Sequence, residues 1–208
     1  MSASRRPFSG GRWLDPTPLN GNLVADGDSL TAGSGGGETA WPTLIATSLP
    51  LATISNFAAI GDSVGVPGGN MLADGSLEVD PAYNSSKPWN VCVLWGGIND
   101  LAMGRTAAQL HADIKTWTTD RRSAHPSWKI IVCNISWTTV LGSQTPIDTI
   151  NSSLAGDKGA ANALVDVRGA LGTSSSNPSF WQGDDLHLTT AGEQVVANAI
   201  YTAIRAVI

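Results

Sequence analysis

The amino-acid sequence predicts an α/β fold organised around a parallel sheet of five strands. Short runs rich in apolar and β-branched residues alternate with longer amphipathic runs, which is the pattern of βαβ units. The runs at 89–95 and 128–135 are apolar without alternation, as expected of strands covered on both faces. The 208 residues, of which 42% are hydrophobic, are sufficient for one domain with its own core.

The elements can be assigned in order along the chain. The first strand is an apolar run before a Gly-Asp-Ser turn, and Pro42 is tolerated in the first turn of the helix that follows. Thr106 can cap the helix at 106–123, which has the clearest helical pattern, and Thr189 or Thr190 can cap the last helix. The segment 66–88 is rich in Gly, Asp and Pro and is predicted to be mostly loop. The predicted strands are 21–26, 51–57, 89–95, 128–135 and 163–167, and the predicted helices are 40–48, 106–123, 146–155 and 189–206.

Composition argues against several classes of partner. The net charge is −5 and the basic residues are scattered, so no nucleic-acid partner is expected. No apolar run approaches the roughly 20 residues that span a bilayer. No metal or other cofactor is expected, because Asp28 and Asp62 have no second histidine nearby.

Cys92 and Cys133 lie in apolar runs and are predicted to be reduced core thiols, with a bridge between neighbouring strands as the alternative.

The N-terminus is predicted to be a loosely ordered arm at 1–18, followed by one domain at 19–208. The segment 4–8 (Ser-Arg-Arg-Pro-Phe) resembles the start of a twin-arginine export signal, but no apolar region follows it. Two interpretations remain open: the protein is not exported in this form, or a true signal has been removed.

Polar residues suited to acyl transfer follow several of the predicted strands. Ser29 comes after the first strand, Asn99 after the third and His187 after the fifth. Because the carboxyl ends of parallel strands share one edge of a sheet, we expect these side chains to converge there. Asp184 precedes His187 by three residues, and this spacing favours it over Asp185 as the carboxylate that orients the imidazole.

The chemistry expected from these residues is nucleophilic catalysis. A serine hydroxyl is a weak nucleophile, so His187 must take the Ser29 proton as Ser29 attacks a carbonyl carbon. The backbone N–H groups of Ser29 and Gly61 and the side-chain amide of Asn99 are the expected donors to the oxyanion. Water then hydrolyses the acyl-serine, again through His187.

Four segments together resemble the four sequence blocks of the SGNH, or GDSL-type, hydrolases. They are Gly27-Asp28-Ser29-Leu30, Gly61, Gly97-Ile98-Asn99-Asp100 and Asp184-Asp185-Leu186-His187. They occur in the family's order across nearly the whole chain, although Ala58 stands where the second block usually has a glycine. The resemblance implies a flavodoxin-like three-layer α/β/α sandwich, metal-free hydrolysis of esters or thioesters, and supporting rather than catalytic roles for Asp28 and Asp100.

Other residues compete for the same roles. The segment 61–65 (Gly-Asp-Ser-Val-Gly) matches the nucleophile elbow of α/β-hydrolases, which would make Ser63 the nucleophile, but no helix is predicted directly after it. His111 is predicted to lie on the flank of a helix and His125 in a loop, so neither is favoured as the base.

The tryptophans are predicted to serve two purposes. Trp41, Trp117 and Trp128 are predicted to be core or helix-packing residues. Three others follow strands or precede Asp184 and are predicted to bind substrate as aromatic walls: Trp95, Trp137 and Trp181.

The sequence therefore predicts a serine esterase for small acyl esters of small molecules or carbohydrates, with carbohydrate O-acetyl groups as the leading expectation. The alternatives are a thioesterase or lysophospholipase on the same triad, and a carbohydrate-binding or assembly module without turnover.

Overall fold

The computed structural model describes residues 20–33, 38–66 and 70–208. The arm predicted at 1–18 lies outside the described residues. Within them, five strands form one parallel sheet in the order β2-β1-β3-β4-β5, as the sequence predicts. The strands are β1 (Asn22–Gly27), β2 (Thr53–Asn56), β3 (Asn90–Trp95), β4 (Lys129–Cys133) and β5 (Ala163–Val165).

Helices connect the strands and cover the sheet. They are α1 (Ser29–Ala32), α2 (Trp41–Ile45), α3 (Met71–Asp74), α4 (Ile98–Ala102), α5 (Ala107–Ala124), α6 (Thr145–Gly156), α7 (Val167–Leu171) and α8 (Thr190–Val207), with a 3₁₀ turn at Pro178–Phe180. One group of helices contacts α8, namely α2 and α7, while α3, α4 and α6 contact α5. Both α5 and α8 contact β4, so the sheet lies between two helical layers. The α/β/α sandwich is confirmed.

The two central strands fix the position of the site. β1 pairs with β3 from Asn22 opposite Asn90 to Gly27 opposite Trp95, and every residue of both strands is buried. β3 is almost wholly apolar, as expected where helices cover both faces of a parallel sheet, while β1 has an apolar run at 23–25 followed by the buried Asp26. The residues that follow Gly27 and Trp95 therefore emerge side by side at one edge.

Several predicted boundaries differ from the structure. β2 is shorter than 51–57 because it is an edge strand, and Leu51 is half exposed before it begins. β5 stops at Val165 because the Asp166 side chain accepts the Gly169 N–H and caps α7. The short helices α1, α4 and α7 were not predicted, and α3 lies within the predicted loop at 66–88. Helices of four or five residues have too few turns to show a periodic pattern.

The predicted core residues occupy the core. Trp41, Trp117 and Trp128 are fully buried. Cys92 and Cys133 are buried free thiols, as predicted, and burial raises the pKa of both far above its usual value. In the described part of the chain, no helix is long and apolar enough to cross a membrane.

One buried carboxyl group lies at the end of β1, two residues before Asp28. Asp26 is 4% exposed, and its Oδ2 accepts a 3.0 Å hydrogen bond from Trp117 Nε1 on α5. Burial raises the pKa of Asp26 from 3.8 to about 7; the bond from Trp117 opposes this rise, and the neighbouring Asp62 charge adds to it. Because the pKa is raised in the folded state, the group stabilises the fold fully below about pH 4. That contribution is lost as the pH rises through about 7.

We expect Asp26→Asn to remove this loss of stability. Asn is uncharged, and its side-chain oxygen can still accept the Trp117 N–H. Relative to wild type, the free energy of unfolding of the variant should increase by roughly 2–4 kcal/mol between about pH 4 and pH 7. Urea unfolding followed by tryptophan fluorescence across this range measures the difference.

Asp120→Asn is the matched control, because Asp120 lies on the exposed face of the same helix, α5. Its stability should follow that of wild type. A constant difference between Asp26→Asn and wild type at every pH would show that Asp26 is not responsible for the pH dependence.

Candidate active site

Ser29 lies where the interior strand β1 passes directly into a helix. Asp28 is the N-cap of α1, and its Oδ1 accepts the Leu30 N–H at 3.0 Å. Gly27 is required before it, because a Cβ there would lie 2.3 Å from the Trp95 carbonyl oxygen. The Gly-Asp-Ser sequence thus makes a tight strand-to-helix turn and places Ser29, 6% exposed, at its start.

His187 and Asp184 reach Ser29 from the other end of the chain. Ser29 Oγ lies 2.9 Å from His187 Nε2, and His187 Nδ1 lies 2.6 Å from Asp184 Oδ2. Asp184 Oδ1 also accepts the backbone N–H groups of Leu186 and His187, at 3.0 and 2.9 Å. Partial burial raises the pKa of Asp184, but the bonds from His187 and Leu186 outweigh it, so the pKa lies below its usual value. Asp184 is therefore ionised at neutral pH and suited to hold an imidazolium.

Asp185, the alternative carboxylate, has a different partner. Its Oδ2 accepts a 3.3 Å hydrogen bond from Thr139 Oγ1, in the loop after β4. The structure therefore brings Asp184 rather than Asp185 to the imidazole.

The segment 38–41, which follows the Ser29 helix, is hydrogen-bonded to the start of α8, three residues after His187. Glu38 Oε2 accepts both the backbone N–H and the hydroxyl of Thr190, each at 2.5 Å. Glu193 Oε2 accepts the Trp41 N–H at 3.0 Å. Glu193 is 3% exposed, and burial raises its pKa to about 8. The hydrogen bond from Trp41 lowers this pKa, and the nearby Glu38 charge raises it further. These contacts form a clamp, Glu38–Thr190 and Trp41–Glu193, that joins two segments more than 150 residues apart.

The clamp was not predicted from the sequence. Glu38 has no signal in the sequence, because it follows a glycine-rich stretch and belongs to no periodic run. The position of Glu193 in the sequence did carry a signal. It precedes Val196 by three residues and Ile200 by seven, so it lies on the buried face of α8, where a carboxylate needs a hydrogen-bond donor.

Asn99, at the start of α4, lies beside the loop that contains Gly61, at the same edge of the sheet. Asn99 is in the first turn of α4, and its Nδ2 donates to the Asp62 carbonyl oxygen at 2.7 Å. Gly61 has φ +83°, a conformation that favours glycine. The fully buried Asp100 accepts the N–H groups of Val64 and Gly65, at 2.7 and 3.0 Å. Two neighbouring residues of α4 thus hold the loop that contains Gly61.

The alternative nucleophile, Ser63, and the alternative bases, His111 and His125, contact residues other than those of the Ser29–His187–Asp184 chain. Ser63 is 1% exposed, and its Oγ donates to the Val66 carbonyl oxygen at 3.3 Å. Residues 64–66, directly after Ser63, form a bend and not the helix that the elbow needs, and the next helix among the described residues begins at Met71. His111 Nε2 lies 2.6 Å from the Asp157 carbonyl oxygen, and His125 stacks on Tyr83 with centroids 4.2 Å apart.

The three tryptophans predicted to bind substrate differ in position. Trp95 is 1% exposed and is a core residue instead, because it is the last residue of the buried strand β3. Trp181 is also buried, with 5% of its surface exposed, and it meets the half-buried Trp137 edge to face, with centroids 5.7 Å apart and ring planes at 77°. Trp181 also bridges to Leu188, so this aromatic pair lies beside the segment that carries His187.

Comparison with known proteins agrees with this architecture. The sequence profile of the GDSL-like Lipase/Acylhydrolase family matches residues 25–195. The chain belongs to this family. It is a GDSL hydrolase, an enzyme that cleaves carboxylic esters. No match to its sequence was found among curated proteins.

Solved structures resemble this GDSL hydrolase over nearly its whole length. A member of the lipolytic G-D-S-L family from Veillonella parvula has a TM-score of 0.70 at 15% identity, covering 88% of this chain and 98% of that one. A carbohydrate acetylesterase from Sinorhizobium meliloti has a TM-score of 0.69 at 14% identity, covering 91% and 100%. A carbohydrate esterase family 3 protein from Talaromyces cellulolyticus has a TM-score of 0.65 at 19% identity, covering 89% and 97%. At such identities the likeness establishes the fold.

Proposed function

We propose that this GDSL hydrolase cleaves small acyl esters through an acyl-serine intermediate on Ser29. The observation that carries the proposal is the continuous chain of hydrogen bonds from Ser29 Oγ through the His187 ring to Asp184. His187 Nε2 accepts the hydroxyl proton as Oγ bonds to the ester carbonyl carbon. Asp184 stabilises the resulting imidazolium, which then gives its proton to the departing alcohol. In the second half, His187 takes a proton from water as the water attacks the acyl carbon, and it then returns that proton to Ser29 Oγ as the bond to the acyl carbon breaks and the acid is released.

The oxyanion of each tetrahedral intermediate takes its hydrogen bonds from three donors. These are the N–H groups of Ser29 and Gly61 and the side-chain amide of Asn99. The side-chain amide nitrogen of asparagine has two protons. Asn99 directs one at the Asp62 carbonyl oxygen, which fixes the orientation of the amide and leaves the second proton for the oxyanion. Donors fixed in advance stabilise developing charge without reorganising during the reaction.

The substrate class that we favour is an O-acetylated carbohydrate. The half-buried Trp137, held edge to face against the buried Trp181 beside the His187 segment, supplies an aromatic surface on which a sugar ring can stack. Two of the structures that share the fold are described as a carbohydrate acetylesterase and a carbohydrate esterase.

A longer acyl chain is the second candidate, as in a thioester or lysophospholipid. Three apolar side chains that follow β2, α4 and β4 are exposed by 71%, 58% and 53%: Ile60, Met103 and Val140. Such side chains would favour an acyl chain lying along this edge of the sheet.

We expect Ser29→Ala to abolish both ester hydrolysis and covalent labelling by a fluorophosphonate, because both require attack by Oγ. Ser63→Ala is the matched control and should retain hydrolysis within about threefold of wild type. Mass spectrometry of the labelled protein should locate one adduct, on Ser29. An adduct on Ser63 would move the nucleophile to the 61–65 segment and overturn the assignment.

Replacing Asn99 tests the oxyanion site. We expect Asn99→Ala to lower kcat by about 10²–10³-fold, because one donor to the oxyanion is lost, while KM changes only a few-fold. Steady-state kinetics with p-nitrophenyl acetate separate the two constants, and a melting temperature checks the fold. An increase in KM with kcat unchanged would make Asn99 a substrate-binding residue.

The substrate class can be tested with two series of esters. We expect kcat/KM to fall by about tenfold or more from the acetyl through the butyryl to the octanoyl ester of p-nitrophenol. Trp137→Ala should reduce hydrolysis of an acetylated monosaccharide more than that of p-nitrophenyl acetate, whereas Trp137→Phe keeps a ring and should reduce it less. A preference for the octanoyl ester would favour the longer-chain candidate.

A further inference from the structure

The segment that presents Asp184 and His187 is a closed loop, which we call the triad loop, residues 181–188. Trp181 and Leu188 form an antiparallel bridge at its base. Above this bridge, the Gln182 N–H donates to the His187 carbonyl oxygen at 2.8 Å, and Gln182 Nε2 donates to the Leu188 carbonyl oxygen at 2.7 Å. The ends of the loop are therefore fixed, and the position of the Asp184 carboxylate depends on the turn at its tip.

Asp185 forms that turn in an unusual backbone conformation. Its φ is +56°, and among residues 20–33, 38–66 and 70–208 it is the one non-glycine residue with a positive φ. The left-handed region is unfavourable for L-residues, and Asp and Asn tolerate it better than most other side chains. Strain of this kind persists where the surrounding structure requires it, and it is concentrated at functional sites.

The conformation at Asp185 determines what Asp184 can bind. Asp184 Oδ1 accepts two successive N–H groups, those of Leu186 and His187, while Oδ2 takes the His187 ring. Both amides follow Asp185, so the chain must reverse at that residue for them to face back toward the Asp184 side chain. An extended conformation at Asp185 would turn these amides away and release the carboxylate.

The side chain of Asp185 has a partner of its own. Thr139 Oγ1 donates to it at 3.3 Å from the loop after β4. The same two segments meet again through Trp137 and Trp181. The turn is thus supported from a neighbouring loop, although the long hydroxyl contact is weaker than the backbone bonds that the turn creates.

We propose that Asp185 is a positioning residue, whose left-handed backbone directs the Asp184 carboxylate at His187. The proposal rests on the proposed function, because positioning matters only if His187 is the base. It concerns the backbone conformation and not the charge of Asp185. A residue that tolerates a positive φ should therefore replace Asp185, and one that resists it should not.

Four variants separate the backbone from the side chain. Asp185→Gly removes the carboxylate and the Thr139 contact but favours a positive φ. Asp185→Asn keeps the shape of the side chain and much of its tolerance of a positive φ. Asp185→Ala also removes the contact but disfavours the left-handed region. Thr139→Val removes the contact alone.

We expect kcat to depend on whether residue 185 tolerates a positive φ. Asp185→Gly and Asp185→Asn should keep kcat within about threefold of wild type, and Thr139→Val should behave in the same way. Asp185→Ala should lower kcat by about tenfold or more with KM within about twofold, because small displacements of a catalytic group are costly while the substrate surface is unchanged. Hydrolysis of p-nitrophenyl acetate and the melting temperature of each variant measure these effects.

Proton NMR gives a readout that does not depend on turnover. The proton between His187 Nδ1 and Asp184 Oδ2 should give a low-field resonance in wild type, Asp185→Gly and Asp185→Asn, and that resonance should be lost or shifted upfield in Asp185→Ala.

Two outcomes would overturn the proposal. If Asp185→Gly is as impaired as Asp185→Ala, the carboxylate matters and not the backbone. If Thr139→Val is as impaired as Asp185→Ala, the effect lies in the contact between the loops. Failure of the proposed function looks different: wild type would hydrolyse no ester, while the resonance would still follow the backbone tolerance of residue 185.

Discussion

The proposed chemistry depends on one contact between distant parts of the chain, the hydrogen bond between Ser29 and His187. The sheet brings Ser29 to the edge formed by the carboxyl ends of its strands, because β1 is an interior strand and its neighbour β3 ends beside it. The clamp between segment 38–41 and α8 then brings the imidazole to the same place. Without such a clamp, each segment could keep its local structure while the two reacting atoms separated. The geometry of the site is therefore a property of the assembled fold.

Acidic side chains fix the loops around the site by accepting backbone N–H groups. Asp28 does so for α1, Asp100 for the loop that contains Gly61, Asp184 for the triad loop and Glu193 for α2. Burial opposes this use of charge and raises the pKa of the enclosed groups, to about 7 for Asp28 and about 8 for Glu193. Asp184, nearest to the solvent, has a lowered pKa instead. The carboxylate proposed to act in catalysis is thus the one that stays charged, and the supporting ones are expensive to ionise.

The sequence predicted the sheet, the three long helices α5, α6 and α8, and the convergence of Ser29, Asp184 and His187. These features leave strong patterns: buried strands are continuously apolar, long helices are periodic, and the site residues occur in short motifs. The role assigned to Trp95 was wrong, because proximity to a strand end does not reveal whether a side chain points into the core or the solvent. Glu38 and Thr139 were missed because single polar residues in loops reveal no partner until the fold is known.

The separation of Ser29 from His187 has a consequence for how activity arises during biosynthesis. Ribosomes make the N-terminal part first, and structure forms progressively as the chain emerges. A nascent chain that has emerged as far as β4 contains the alcohol and the proposed oxyanion donors but has neither Asp184 nor the helix that carries Glu193. Such an intermediate lacks the proposed base, so by the proposed mechanism ester cleavage would begin only after α8 has been translated and has docked. The order of the motifs thereby couples the onset of turnover to the completion of folding.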